Sequence, residues 1–414
     1  MTRRGGEKII RDPLWGDIAF DTEMAGLLGA EEFARLDAIR QLGPVASVYP
    51  GATHTRLSHS LGVFHLARRM VLSLMERGQL PFVSELGLRS FLAAALLHDI
   101  GHFPYAHSLK ELPLEAHESM ASKAILKEPL ASALVDAGAD PVLSAAIIDA
   151  GTPLSGRSEP WSEIEFYRRL LSGVLDPDKV DYLTRDAFFC GVPYGIQDAE
   201  YIARRLSVHG KELVLDSKGG MSVDAVLFSK YQMYRAVYWH PSVRSITAAV
   251  KKAVFQGLKS GALAPGDLYG LGDWEFELLL KERFPSSPLV ESAFQGPAYE
   301  EIASFPFEEK TPQHRLLADL KKRSETEAQL ERIIGLGKDS LVIDIPESIH
   351  FESDLKVRDG AAPSGFLLFS QNSALFPGEK SQALAKSLRR LRIFAPQGID
   401  PGRLSAAFKE FLTQ

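Results

Sequence analysis

Apolar and polar positions alternate with a helical period over most of the chain and with a mixed period over its last hundred residues. A short extended lead-in covers 8–20, with a turn at Asp12-Pro13. Phe33, Leu36 and Ile39 share one face of a helix predicted over 31–41, which Gly43-Pro44 ends. Leu61, Phe64, Leu66 and Val71 predict a helix over about 60–77, and the apolar run Phe91–Ala95 a buried helix over 85–99. Residues 102–117, with Pro104 and Pro113, read as irregular. Further helices are predicted at 117–126, 129–137, 140–150 and 161–173, and another starts at Asp176 or Asp178, where a carboxylate suits a helix N-terminus. A hairpin is expected over 211–224, with Ser217–Gly220 as its turn. It leads into a long helix from near Val223 to about 258, kinked at Pro241.

Pro and Ser concentrate over 283–313 and divide the chain into a core over 1–285, a linker region over 286–312 and a small unit over 313–414. In that unit, helices at 313–334, 379–389 and 401–413 accompany strands at 340–345, 365–369 and 391–395. The predicted fold is mainly α: a helical core with a small β-hairpin and a C-terminal α+β subdomain that contains little suggestive of chemistry.

The net charge of −6 gives no general basic field for nucleic acid. Cys190, the one cysteine, excludes an internal disulfide and fits a reducing cytoplasm. The Met1–Lys8 start has no apolar segment behind its basic residues, so a signal peptide is not expected. No run of about 18 apolar residues suggests a membrane span. The expected location is the cytoplasm.

Histidine changes the picture. Of 11 histidines, six fall between His54 and His107. His98-Asp99 follows a buried helix directly, and an imidazole beside a carboxylate can serve one divalent cation. The Gly/Pro/Thr-rich loop Tyr49–His59 delivers Arg56 and His59 to the start of the next helix. Asp178, Tyr182 and Asp186 are spaced by four and share one helix face with Lys179 at its edge, an arrangement that a solvated face would also show. Lys230, Tyr234 and Tyr238 repeat that spacing, which by itself fits a core stripe better than a ligand site. Together His59, His98, Asp99 and Asp178 form a mixed nitrogen/oxygen donor set that suits a borderline divalent ion and leaves coordination positions open. Arg56 and Lys179 could hold phosphate oxygens. His102, His107 and His117 are candidates for general acid or base.

Five stretches resemble the HD-domain metal-dependent phosphohydrolases, most closely the dNTP triphosphohydrolase branch: Asp12–Ile18, Phe33–Gly43, Tyr49–Val63, His98–His107 and Asp178–Asp186. The resemblance spans about residues 8–250 and is absent from the tail. It implies one divalent metal ion per chain (Mn, Fe, Ni, Co, Zn or Mg) on His59, His98, Asp99 and Asp178. It implies a dNTP substrate whose triphosphate is held by Arg56 and Lys179. It makes His107 the catalytic acid or base, with His102 and His117 in support. Gln41, Leu42, Tyr182, Tyr238 and Asp186 would face the sugar. The products would be a deoxynucleoside and triphosphate, and the assembly a homodimer or homotetramer. At three site positions the chain departs from the branch: Lys110 replaces an Asp, Lys230 an Arg and Tyr234 a His. Gly29, Asp37 and Glu200 stand where activated members bind a regulatory guanine nucleotide, so the same activation is not expected, although Lys8 is retained. Two other readings remain at this point: hydrolysis of a different nucleotide or phosphate ester, and a sensor that binds nucleotide or single-stranded nucleic acid without turnover.

Overall fold

The structure, a computed structural model, describes residues 7–153, 163–295 and 299–413. The Met1–Gly6 start, the first two residues of the helix predicted over 161–173 and the Gly296-Pro297 boundary signal lie outside them. Five helices build the site: α1 (Arg56–Glu76), α2 (Glu85–Leu97), α3 (Pro177–Cys190), α4 (Gly220–Met233) and α5 (Pro241–Ser260). Four of them begin on a side-chain cap. Thr55 accepts from the Ser58 amide, Ser84 from Gly87, Asp176 from Lys179 and His240 from Ser242, which supplies partners for helix-end amides and fixes where each first turn points. α1 packs against both α2 and α3 through fully buried small residues such as Ala67, Ala94 and Ala187. Shorter helices at His117–Ile125, Leu130–Asp136, Pro141–Ile148 and Ile164–Leu171 agree with the periodic pattern to within three residues at each end. Among the described residues no single helix is long and apolar enough to cross a membrane, and the bent apolar pair Leu130–Asp136 and Pro141–Ile148 buries its leucines in the core.

The extended lead-in with its turn at Asp12-Pro13 is a hairpin of β1 (Lys8–Asp12) and β2 (Gly16–Phe20), whose turn is held by Asp12 accepting from the Leu14 and Trp15 amides. Several other expectations are corrected. The helix expected over 31–41 is one α-turn (Glu31–Ala34) followed by a 3₁₀ turn (Arg35–Ala38). Phe33, Leu36 and Ile39 are all buried, and their spacing of three is the 3₁₀ period. The second hairpin joins β3 (Leu206–His209) to β4 (Glu212–Leu215) through Gly210-Lys211, where Gly210 takes φ +64°. Ser217–Gly220 instead lead into α4, and Met221–Val223 are helical. The long helix is two helices. α4 passes into a π-helical turn at Tyr234–Tyr238, and Pro241 starts α5 at a position where its missing N–H leaves no bond unmade.

The stretch 286–312 is not a bare linker: it holds a helix (Pro288–Phe294) and β5 (Glu300–Pro306). With β6 (Val342–Asp344) and β9 (Arg390–Ala395), β5 forms an antiparallel sheet in the order β5-β9-β6. Between β6 and β9, β7 (Lys356–Arg358) and β8 (Phe366–Leu368) leave the tail. β7 pairs parallel with β4 through Leu215 and Val357, giving the sheet β3-β4-β7-β8. Phe351, Leu355, Val357 and Phe369 are buried in the same apolar cluster as Leu215 and Val226, which draws this segment onto the helical part.

Candidate metal centre

Three helix ends converge. His59 lies one turn into α1, His98 caps the C-terminus of α2 with Asp99 beside it, and Asp178 is in the first turn of α3. His59 Nε2 is 3.0 Å from Asp178 Oδ1. His98 Nε2 is 3.3 Å from Asp99 Oδ1 and 3.9 Å from Asp178 Oδ1. His98 donates from Nδ1 to the Ala95 carbonyl at 3.0 Å, so its Nε2 carries the lone pair, and that atom is buried without a hydrogen-bond partner. A buried acceptor nitrogen aimed at carboxylates is the chemistry of a cation site. His59 agrees: burial opposes its protonation, yet hydrogen bonds to Asp178 and Asp181 raise its pKa to about 10, so positive charge is favoured there. Burial also opposes ionisation of Asp99, but His102, His98 and Arg56 outweigh it and hold the carboxyl well below the usual range. His59, His98 and Asp178 bring their ligand atoms within 4.8 Å of one another and fit a divalent ion, with Asp99 beside His98; Asp99 also forms such a group with His102 and His117.

Behind them lies a network that sequence reasoning missed. His59 Nδ1 donates to Asp181 Oδ2 at 2.8 Å, which presents Nε2 to the site. Arg185, fully buried, grips both oxygens of Asp181 at 2.9 Å each and donates to Asp12 at 2.9 Å. The Trp15 indole also donates to Asp181. The first hairpin is thereby tied to the metal centre.

His102, His107 and His117 gather on one side of the centre. The His102 and His117 rings stack at 3.8 Å, His107 lies 4.8 Å from His102, and His102 Nε2 is 3.3 Å from Asp99 Oδ1. Burial, followed by neighbouring positive groups, holds His102 and His107 well below the ordinary imidazole range. It lowers His117 to about 4, so the trio is neutral near pH 7. A Cβ on Gly101 would meet the His117 carbonyl oxygen at 2.0 Å, and its absence lets the His117–Ile125 helix close in.

A cavity of about 580 Å³ opens over the centre. All but one of the residues singled out from the sequence line it: the donor set, the three imidazoles, Gln41, Leu42, Arg56, Tyr182, Asp186, Lys230, Tyr234 and Tyr238; Lys179 does not, and meets the wall only through its ion pair with Glu352. Gln41 Oε1 is buried and unpartnered, an acceptor awaiting a hydroxyl. Tyr182 and Tyr238 wall the cavity, and the Lys230–Tyr238 stripe faces it through the π-helical turn. Arg56 is not a free clamp, since its Nη1 donates to Asp99 Oδ2 at 2.7 Å in a buried pair. Asp186 is also engaged, by His54 at 2.8 Å and by the Tyr238 hydroxyl at 2.6 Å. Burial and the nearby Lys179 charge lower Lys230 to about 8. The tail, expected to lack chemistry, supplies Glu347, Ser348, Ile349, His350 and Glu352 to the cavity wall.

Comparison with known proteins finds two family matches and several relatives. Residues 56–147 match the HD domain and residues 197–365 the HD associated region, so the second match reaches into the tail. YwfO of Bacillus subtilis (strain 168) is 34% identical over 254 residues, 59% of this chain and 55% of that protein. The deoxynucleoside triphosphate triphosphohydrolase SAMHD1 homolog of Dictyostelium discoideum is 26% identical over 259 residues, 60% of this chain and 49% of that protein. A hypothetical protein of Aquifex aeolicus, solved by crystallography, superposes with a TM-score of 0.72 at 25% identity, covering 97% of this chain and 100% of that one. The chain spans about half the length of YwfO and of the Dictyostelium protein. Residues 56–147 carry the HD-domain match, within which His59, His98 and Asp99 fall while Asp178 lies outside it, and the chain is similar over part of its length to the deoxynucleoside triphosphate triphosphohydrolase SAMHD1 homolog.

Proposed function

We propose that the protein is a metal-dependent hydrolase of dNTPs that releases a deoxynucleoside and triphosphate. The observation that carries this reading is the convergence of His59, His98 and Asp178 on a cavity of about 580 Å³, with Asp99 beside His98 and the His98 Nε2 lone pair buried and unpartnered. Those four residues would hold the divalent ion, which when bound supplies Lewis-acid polarisation of a phosphoryl oxygen.

The chain's own groups do the rest. Lys179 and Lys230 give positive charge at one end of the cavity for the phosphates. Arg56 fixes Asp99 and adds a neighbouring guanidinium. Gln41 Oε1 accepts a sugar hydroxyl, and the Tyr182 and Tyr238 rings bound the sugar, crowding a ribose 2′-hydroxyl. His107, neutral and buried beside His102 and His117, takes or returns the proton at the scissile bond.

Purified protein with Mn²⁺ and each dNTP in turn is expected to release inorganic triphosphate, and inertness toward all four would overturn the reading. A second reading, hydrolysis of a shorter phosphate ester, is favoured by the contact between Lys179 and Glu352 at 3.2 Å, which narrows the phosphate end. Product analysis separates the two, since orthophosphate or pyrophosphate would then replace triphosphate.

A further inference from the structure

After β6 the chain runs along the cavity wall over residues 345–355 before entering β7. Ile345 and Leu355 are buried at its ends and Phe351 in its middle, so its polar groups are presented at fixed places. The His350 carbonyl accepts from Lys230 Nζ at 2.8 Å. The Glu352 carboxylate lies 3.2 Å from Lys179 Nζ.

An ammonium has three protons. Lys179 gives one to the Gly173 carbonyl at 2.9 Å and one to the buried Asp176 carboxylate at 2.8 Å. Glu352 adds an ion pair at 3.2 Å, its side chain 55% exposed while that of Lys179 is 13% exposed. The two inner partners are fixed, and the outer one can move.

We infer that Glu352 is a charge gate at the phosphate end of the cavity: its carboxylate, on the cavity wall, neutralises the Lys179 ammonium behind it and so sets the affinity for polyphosphate. This rests on the reading that Lys179 and Lys230 face the phosphates. A carboxylate half in water is held weakly by its partner and yields to a phosphate. Its charge then remains within a Debye length and opposes the ligand in proportion to the ligand's own charge. The tail thereby tunes a site whose metal-ligand and imidazole residues come from the helical part.

The test is calorimetric titration of the full-length, Mn²⁺-loaded protein with inorganic triphosphate, pyrophosphate and orthophosphate. Wild type is compared with Glu352→Gln, Glu352→Ala and Lys179→Gln. Both Glu352 variants are expected to bind triphosphate about three- to ten-fold tighter, with a smaller gain for orthophosphate and none at ~0.5 M salt. Lys179→Gln is expected to bind triphosphate more weakly. If Lys179→Gln binds triphosphate like wild type, the phosphate assignment fails and the gate fails with it. If Lys179→Gln is weakened but neither Glu352 variant gains, the gate is overturned while the assignment stands. A gain that is equal for all three ligands and insensitive to salt also overturns it, because shape rather than charge would then be the cause.

Discussion

Which nitrogen His59 offers to the site is decided by Asp181. Its Oδ2 accepts from Nδ1 at 2.8 Å, which leaves Nε2 facing Asp178, and Arg185 with the Trp15 indole keeps the carboxylate in place. Gly62 makes room for it, since a Cβ there would lie 1.8 Å from Asp181 Oδ1. Asp181→Asn keeps an acceptor for His59 but removes half the charge that balances buried Arg185. Metal affinity is expected to fall about 10- to 100-fold, read by competition with a chelator. Stability is expected to fall by up to about 3–5 kcal/mol, read by denaturant unfolding. Wild-type affinity at reduced stability would mean that Asp181 only supports the fold. The sequence showed His59, His98, Asp99 and Asp178 because each has a metal-binding side chain at a helix end. It hid Asp181, which falls off the Asp178–Tyr182–Asp186 stripe and takes its meaning from His59, on a different helix.

At the scale of elements, one contact sets the imidazole cluster. The His117–Ile125 helix closes on the turn after α2 because Gly101 has no side chain, and this brings the His117 ring onto His102 at 3.8 Å. Gly101→Ala places a Cβ 2.0 Å from the His117 carbonyl and 2.5 Å from the Ala121 amide, so the helix must withdraw. Turnover of whichever phosphate ester proves to be the substrate is expected to fall about 10²-fold, with metal content within about twofold of wild type. Unchanged kcat would show that the stacked imidazoles stand outside the reaction. Helices with a 3.6 period and a side-chain cap were legible in the sequence to within a few residues, α2 and α3 above all. Less regular elements were not. Gly219-Gly220 has the composition of a turn, but Gly219 sits at φ −79° ahead of a helix, while Gly210 takes the positive φ that the hairpin needs. The π-helical turn has no sequence signature of its own, yet it determines how Tyr234 and Tyr238 meet the cavity.

For the whole molecule, the question is what holds the tail against the helical part, since residues 345–355 reach the cavity only if β6 is seated. No local pattern announces this, because β7 joins β4 through the single parallel pair Leu215–Val357 between segments far apart in sequence. Another tie is electrostatic. Arg244 on α5 grips Asp344 at the end of β6 with bonds of 2.9 and 2.5 Å, and both side chains are at most 9% exposed. Ile345, the next residue, begins the segment that carries His350 and Glu352 to Lys230 and Lys179. Asp344→Ala leaves a buried guanidinium without its carboxylate and is expected to cost about 3–5 kcal/mol in denaturant unfolding. Replacing both partners with apolar residues, Arg244→Met with Asp344→Leu, removes the charge along with its counter-charge and is expected to recover more than half of that loss. If the pair docks the tail, Asp344→Ala also frees Lys179 from Glu352 and reproduces the tighter, salt-sensitive triphosphate binding expected of Glu352→Gln. If it lowers stability but leaves triphosphate affinity unchanged, the tail is seated by its apolar contacts instead, with Phe351 and Leu355 holding the segment against the helical core.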